Sequence, residues 1–215
     1  MKKKQGAQRI CRSYNIEDIQ TGENEITGHA VVFNQTTDIG GMFSETIRSE
    51  ALNSCDLTDV FFFTNHDTLK IPLARSRRNN PNSTMQLQVT EKGLFFRANI
   101  DVEKNAEASS LYSAVGRGDV TGMSFMMYID GEEWEGLDTE YPVRTITSIG
   151  QIAEISAVNF PAYAGTDIQA RSASTLDNEK KALERAREAL TLESVKRVRE
   201  KAFKKSEQME KRIWR

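Results

Sequence analysis

Three polar side chains could carry chemistry, two of them inside apolar strands and one just past the end of an apolar strand. They are His66 in Asn65-His66-Asp67, Ser124 in Gly122-Met-Ser124-Phe-Met-Met127, and Glu154 in Ile152-Ala-Glu154-Ile-Ser-Ala-Val158. Imidazole is the side chain best suited to moving protons near neutral pH, and the chain offers only two, His29 and His66. A serine that follows Gly122 can act as a nucleophile, because a glycine lets the backbone approach a substrate carbonyl closely. It is not the GxSxG elbow of the α/β-hydrolases, since Met126 stands where the second glycine would be. Read alone, Ser124 is first of all a buried hydroxyl bonded to backbone. An isolated carboxylate in an apolar strand needs a hydrogen-bonded or cationic partner. For Glu154 that partner is His66, as in a catalytic triad, or equally an arginine such as Arg75 or Arg97. Asp67, Asp101 and Asp119 are the alternative acids. Together, His66, Ser124 and Glu154 form a Ser-His-acid candidate set.

These residues need strands to carry them. The alternation from Ile26 to Phe33 predicts one, and the apolar run Val60–Thr64 predicts a strand buried on both faces that delivers His66 at its end. Met85–Val89 and Leu94–Ile100 form a hairpin around Glu91-Lys92-Gly93. Val120–Ile129, Pro142–Ile149 and Gln151–Phe160 are further strands, with an acidic loop from Asp130 to Asp138. Glu45–Ser54 is expected as a short helix and Arg75–Ser83 as a turn-rich stretch. Asn105–Arg117 has helical spacing, with Gly118 just past its end. The fold class is α+β and mainly β, a mixed, mainly antiparallel barrel or sandwich with one central helix. Residues 1–25 read as a basic arm and lead-in, 26–170 as the folded domain, and 171–178 as a linker. Glu179–Arg215 lacks Gly and Pro and predicts a long amphipathic helix, whose apolar stripe slips between Leu190 and Val195.

Charge divides along the same boundary. From Lys180 onward 13 basic residues face 6 acidic ones, about +7, so the rest of the chain carries about −9 within a total of −2. No apolar run of membrane-spanning length exists, and the basic start is followed by polar residues unlike a secretory signal. Two cysteines, Cys11 and Cys55, make neither a disulfide framework nor a structural zinc site, and no cofactor or metal is expected. The basic helix has no groove-reading motif and six acids interrupt its charge, which argues against nucleic acid as its partner.

Seven motifs in order carry a resemblance. They are Gly28-His-Ala-Val-Val-Phe33, Phe43-Ser-Glu45-Thr-Ile47, Asn65-His66-Asp67, Lys92-Gly93-Leu94-Phe95-Phe96, Gly122-Met-Ser124-Phe125, Glu154-Ile-Ser156 and Asn159-Phe-Pro161-Ala162-Tyr163. Over residues 26–170 the sequence resembles the tailed-bacteriophage prohead proteases, capsid maturation serine proteases similar in fold to the herpesvirus assemblins. The resemblance implies a herpesvirus-protease-like antiparallel β-barrel, Ser124 as nucleophile and His66 as general base. Assemblins use a second histidine as third member, whereas the matching region here offers Glu154. It further implies an enzyme packaged inside the prohead in the host cytoplasm. Its partners would be the major capsid protein with its scaffolding segment, and itself, through self-cleavage and self-association. On that reading the basic helix docks onto an acidic scaffold and is removed by autocleavage; otherwise it is a solvated helix. The rival class is a non-enzymatic scaffolding protein whose helix recruits partners.

Overall fold

The computed structural model describes residues 8–15, 18–159 and 173–213. Its strands are β1 (Gln8–Asn15), β2 (Gln20–Gly22), β3 (Glu25–Val32), β4 (Thr37–Asp38), β5 (Ser44–Ile47), β6 (Asp59–Thr64), β7 (Ala74–Arg77), β8 (Met85–Val89), β9 (Gly93–Asn99), β10 (Gly122–Glu135) and β11 (Val143–Val158). The helices are α1 (Ala106–Gly116) and α2 (Ala173–Ile213), with a 3-10 turn at Ser49–Leu52.

Two sheets form. The smaller runs β2-β3-β9-β8, all antiparallel. The larger runs β1-β10-β11-β5-β4, with β6 also on β11 and β7 on β6. The long β11 makes this possible. One side of it pairs antiparallel with β10, while the other takes β5 along Val143–Ile146 and β6 along Glu154–Ala157, both parallel. Apolar faces of the two sheets supply the main core, with Phe62 and Phe96 meeting across it at 5.5 Å between ring centroids. Gly93 closes the β3–β9 pairing, since a Cβ there would lie 1.8 Å from the Val31 carbonyl oxygen at a φ of +157°. Helix α1 begins where the Asn105 side chain accepts from the N–H groups of Glu107 and Ala108, buries Ala108, Leu111 and Val115, and ends before Gly118 at φ +77°.

The mainly β class with a central helix stands, but the expected antiparallel barrel does not. Among the described residues no ladder joins the two sheets, and the parallel β5 and β6 share one edge of β11 where closure would need a continuous antiparallel run. Several elements also differ from expectation. Glu45–Ser54 is not a helix, because Ser44–Ile47 finds a pairing edge on β11 and only Ser49–Leu52 turns. Ala74–Arg77 pairs with β6 as β7. The acidic Asp130–Glu135 extends β10 instead of looping out, and the two strands expected after Pro142 are one, register shifts being absorbed in the β10–β11 ribbon. Residues 8–15, expected in a loose arm, form β1 along β10, with Ile10 and Tyr14 buried. Helix α2 starts at Ala173, inside the expected linker; Phe160 to Ser172 lie outside the described residues.

That helix is not detached. Glu179, Ala182 and Leu183 are buried, and Leu183 joins Ile39 and Phe43 in a second apolar cluster edged by Trp134 and Leu137. Arg187 donates to the carbonyls of Leu137 and Thr139. Beyond this turn Leu192 is 62% exposed and Val195 44%, so the docking face ends there. No described helix is long and apolar enough to cross a membrane.

Candidate active site

Strand alternation places the site on one face of the larger sheet. Ser13, Ser124, Ser156 and Phe63 are mutually opposite on β1, β10, β11 and β6, and the next row reads Cys11, Met126, Glu154 and Phe61. Side chains two apart on a strand share a face, so Ser124 and Glu154 arrive together with Ser156 between them in register. β6 runs parallel to this part of β11 and ends at Thr64, which carries His66 over the same face.

The turn that aims His66 is unusual. Asn65 and His66 lie in succession in the left-handed region, at φ 51° and 59°. Asparagine visits that region readily, but for histidine it costs about 1 kcal/mol or more, and such strain persists only where surrounding contacts over-determine it. Here they do. The Asn65 N–H donates to the Ala157 carbonyl (2.9 Å), Asn65 Oδ1 accepts from the Asn159 N–H (3.1 Å), and the His66 N–H donates to Ser156 Oγ (3.2 Å).

The three candidate residues therefore meet. His66 Nε2 is 2.6 Å from Ser124 Oγ, and His66 Nδ1 is 2.5 Å from Glu154 Oε1. The Ser156 hydroxyl donates to the other carboxylate oxygen, Oε2, at 2.6 Å. Glu154 is 2% exposed, so both its oxygens need such partners. Ser124 is fully enclosed: its hydroxyl reaches the Arg12 carbonyl (2.8 Å), and the Ser13 hydroxyl donates to Ser124 Oγ (2.9 Å). Strand β1 thus lies against Ser124.

The alternatives are accounted for. Arg75 is held by Asp59 at 2.6 Å and Arg97 stands 3.8 Å from Glu25, so neither serves Glu154. The Asp119 carboxylate pairs with Arg117, Asp101 Oδ1 accepts from the Lys104 N–H, and Asp67 lies 3.8 Å from Lys70. His29 is elsewhere: its ring bonds Asp18 (2.6 Å) and Thr90 (3.1 Å) and packs edge-on against Phe95. Ser156 was legible from the strand alternation that flags Glu154, being two residues on. Ser13 was hidden because its segment read as an arm.

Beyond the triad geometry, a buried ion network ties β1 to the rest. The Arg12 guanidinium forks onto Glu45 and reaches Glu179 of α2 at 3.0 Å. Arg144 bonds Glu45 (3.2 Å), Glu179 (3.1 Å) and Glu132. Burial alone would lower the Arg12 pKa, but attraction to Glu45 and Glu179 outweighs it and keeps the guanidinium charged. The residue whose carbonyl touches Ser124 is thereby anchored to the C-terminal helix.

Among solved structures, that of the bacteriophage T4 capsid assembly protease, gp21, is similar at 11% identity and a TM-score of 0.38, covering 73% of this chain and 99% of that one. No curated protein matches the sequence significantly. The family model of the caudovirus prohead serine proteases matches residues 12–182, from the β1 arginine whose carbonyl meets Ser124 to the buried turn of α2. With most of its length inside that match, the chain belongs to the caudovirus prohead serine protease family.

Proposed function

We propose that Ser124, His66 and Glu154 are the catalytic triad of this prohead protease, and that it cuts the scaffolding segment of the major capsid protein and its own C-terminal tail inside the prohead. The observation that carries the reading is the unbroken line from Ser124 Oγ through the His66 ring to Glu154, with links of 2.6 and 2.5 Å. Glu154 favours the imidazole tautomer with hydrogen on Nδ1, which leaves the Nε2 lone pair facing the Ser124 hydroxyl. As Oγ attacks the scissile carbonyl, its proton passes to Nε2 and Glu154 supports the imidazolium. The leaving amine takes that proton. Water, deprotonated by the same nitrogen, then hydrolyses the acyl-enzyme and restores the serine.

Ser124 has no exposed surface, so substrate entry requires β1 to yield, the Ser13 contact giving way to the incoming carbonyl. The docked start of α2 refines the self-cleavage expectation. A cut before Glu179 would strip two buried arginines of a shared partner, so the removable part of the tail begins after Leu183.

The test is co-expression with the capsid protein, with cut sites read by mass spectrometry. Ser124→Ala should fold like the parent and leave both the capsid protein and the tail uncut. Processing at parental level in that variant would remove Ser124 as the nucleophile, and an uncut capsid protein and tail with the parent itself would favour a non-enzymatic scaffolding role.

A further inference from the structure

Cys11 takes no part in the triad, yet it faces it. It sits on β1 opposite Met126 of β10, which is in turn opposite Glu154 of β11, so thiol and carboxylate occupy one row of the same sheet face. Cys11 Sγ, a ring nitrogen of His66 and a carboxylate oxygen of Glu154 all lie within 4.8 Å of one another. Cys11 and His66 are half-buried, so the cluster is reachable from solvent.

We propose that Cys11, His66 and Glu154 form a zinc-binding site whose occupation switches the protease off. The donor set decides the metal. Thiolate, imidazole and carboxylate together suit Zn²⁺, whereas Mg²⁺ and Ca²⁺ take oxygen ligands alone. Three protein ligands are also a common number for zinc, with the fourth position open to water. Tetrahedral bonds of about 2.0 to 2.3 Å require donors roughly 3 to 4 Å apart, so small side-chain adjustments within the cluster close the site. The thiol proton leaves on binding, and thiolate and carboxylate neutralise the ion.

Inhibition follows from the shared histidine, and so this proposal rests on His66 being the general base. Ligation through Nε2 removes the acceptor of the Ser124 proton. Ligation through Nδ1 breaks the bond to Glu154, and Glu154 is taken by the metal in either case. General-base catalysis is worth about 10²- to 10⁴-fold, so zinc saturation should lower the rate at least about 100-fold.

Purified full-length protein would be titrated with Zn²⁺, then with EDTA, and separately with Co²⁺ while the thiolate-to-metal charge-transfer band is followed. The parent should lose activity with one equivalent of zinc, recover with EDTA and show the cobalt band. Cys11→Ala should keep the parental rate, lose the band and resist zinc. Outer partners of metal ligands alone are worth about 10- to 100-fold in affinity, so losing the thiolate should shift the inhibition by at least that factor. Cys55, the other half-buried thiol, is excluded by its own variant: Cys55→Ala should keep both the cobalt band and the parental zinc sensitivity, and loss of the band there overturns the assignment to Cys11. A parent without the band, or equal zinc sensitivity in Cys11→Ala, overturns the proposal. Should Cys11→Ala fail to fold, the band in the parent decides. A protein that shows the band but cuts nothing supports the metal site while refuting the protease reading.

Discussion

Glu154 and Ser156 divide the work of holding His66. The carboxylate meets the ring, and the serine hydroxyl both fixes the second carboxylate oxygen and receives the His66 backbone N–H. Replacing Glu154 by glutamine keeps the shape but removes the charge that selects the tautomer and supports the imidazolium. Glu154→Gln should therefore cut kcat on the order of 10⁴-fold with the fold unchanged. A loss under tenfold would assign the acid role elsewhere. Ser156→Ala acts one step away. A hydrogen bond to a charged group is worth about 1.5 to 3 kcal/mol, so kcat should fall about 10- to 100-fold while KM stays near parental. A parental kcat in Ser156→Ala would reduce Ser156 to packing. At this scale residue type singled out His66, whereas Ser124 on its own neighbours was first of all a buried hydroxyl and became a candidate through the ordered motifs. The sequence left Glu154 open between histidine and arginine, since two arginines of suitable length were available. Strand pairing closed that question by sending Arg75 to Asp59 and Arg97 towards Glu25.

Elements with strong periodicity, such as β3, β6, β9 and α1, were readable because one face of each must be buried. The misread ones lie where pairing overrides local preference. Ser44–Ile47 and Ala74–Arg77 are short and polar on one side, and they become strands only because β11 and β6 offer them an edge. In α2 tertiary structure decides an open question: an amphipathic helix suited either to a partner or to the body of the molecule places Glu179 at 0% exposure between Arg12 and Arg144. Removing one partner of a buried ion network typically costs about 3 to 5 kcal/mol, because the others remain buried without compensation. Glu179→Ala should lower the unfolding free energy by about that amount in urea titrations. Truncation after Thr191, by contrast, removes the exposed Leu192 and Val195 and should leave the unfolding free energy within about 0.5 kcal/mol of parental. If Glu179→Ala proved as stable as the parent, the network would not be what anchors α2 and β1.

At the scale of the whole molecule, acid sensitivity collects at paired carboxylates. Burial alone would raise the Asp18 pKa, but hydrogen bonds from Lys92 and His29 outweigh it and hold it below the usual range. Asp59 is lowered by its hydrogen bonds to Arg75. A carboxylate depressed in the folded state contributes stability that is complete above its unfolded value, about 3.9, and is lost as pH falls through the folded one. Below about pH 4 the parent should therefore lose stability more steeply than Asp18→Asn in urea unfolding at successive pH values. Parallel curves would remove Asp18 from the acid limb. The charge division seen in the composition also changes meaning here. The basic helix begins as part of the acidic body, through Glu179, Leu183 and Arg187, and exposes Leu192 and Val195 only beyond those contacts. What the sequence determined by itself was whatever local pattern can encode: apolar alternation for the main strands, helical spacing, the isolated polar residues and the ordered motifs of the family. Which acid meets the histidine, that residues 8–15 form a strand against Ser124, and that α2 is keyed into the core were decided by tertiary structure. Those outcomes depend on which distant edges and buried charges find one another, and no short stretch of sequence contains both partners.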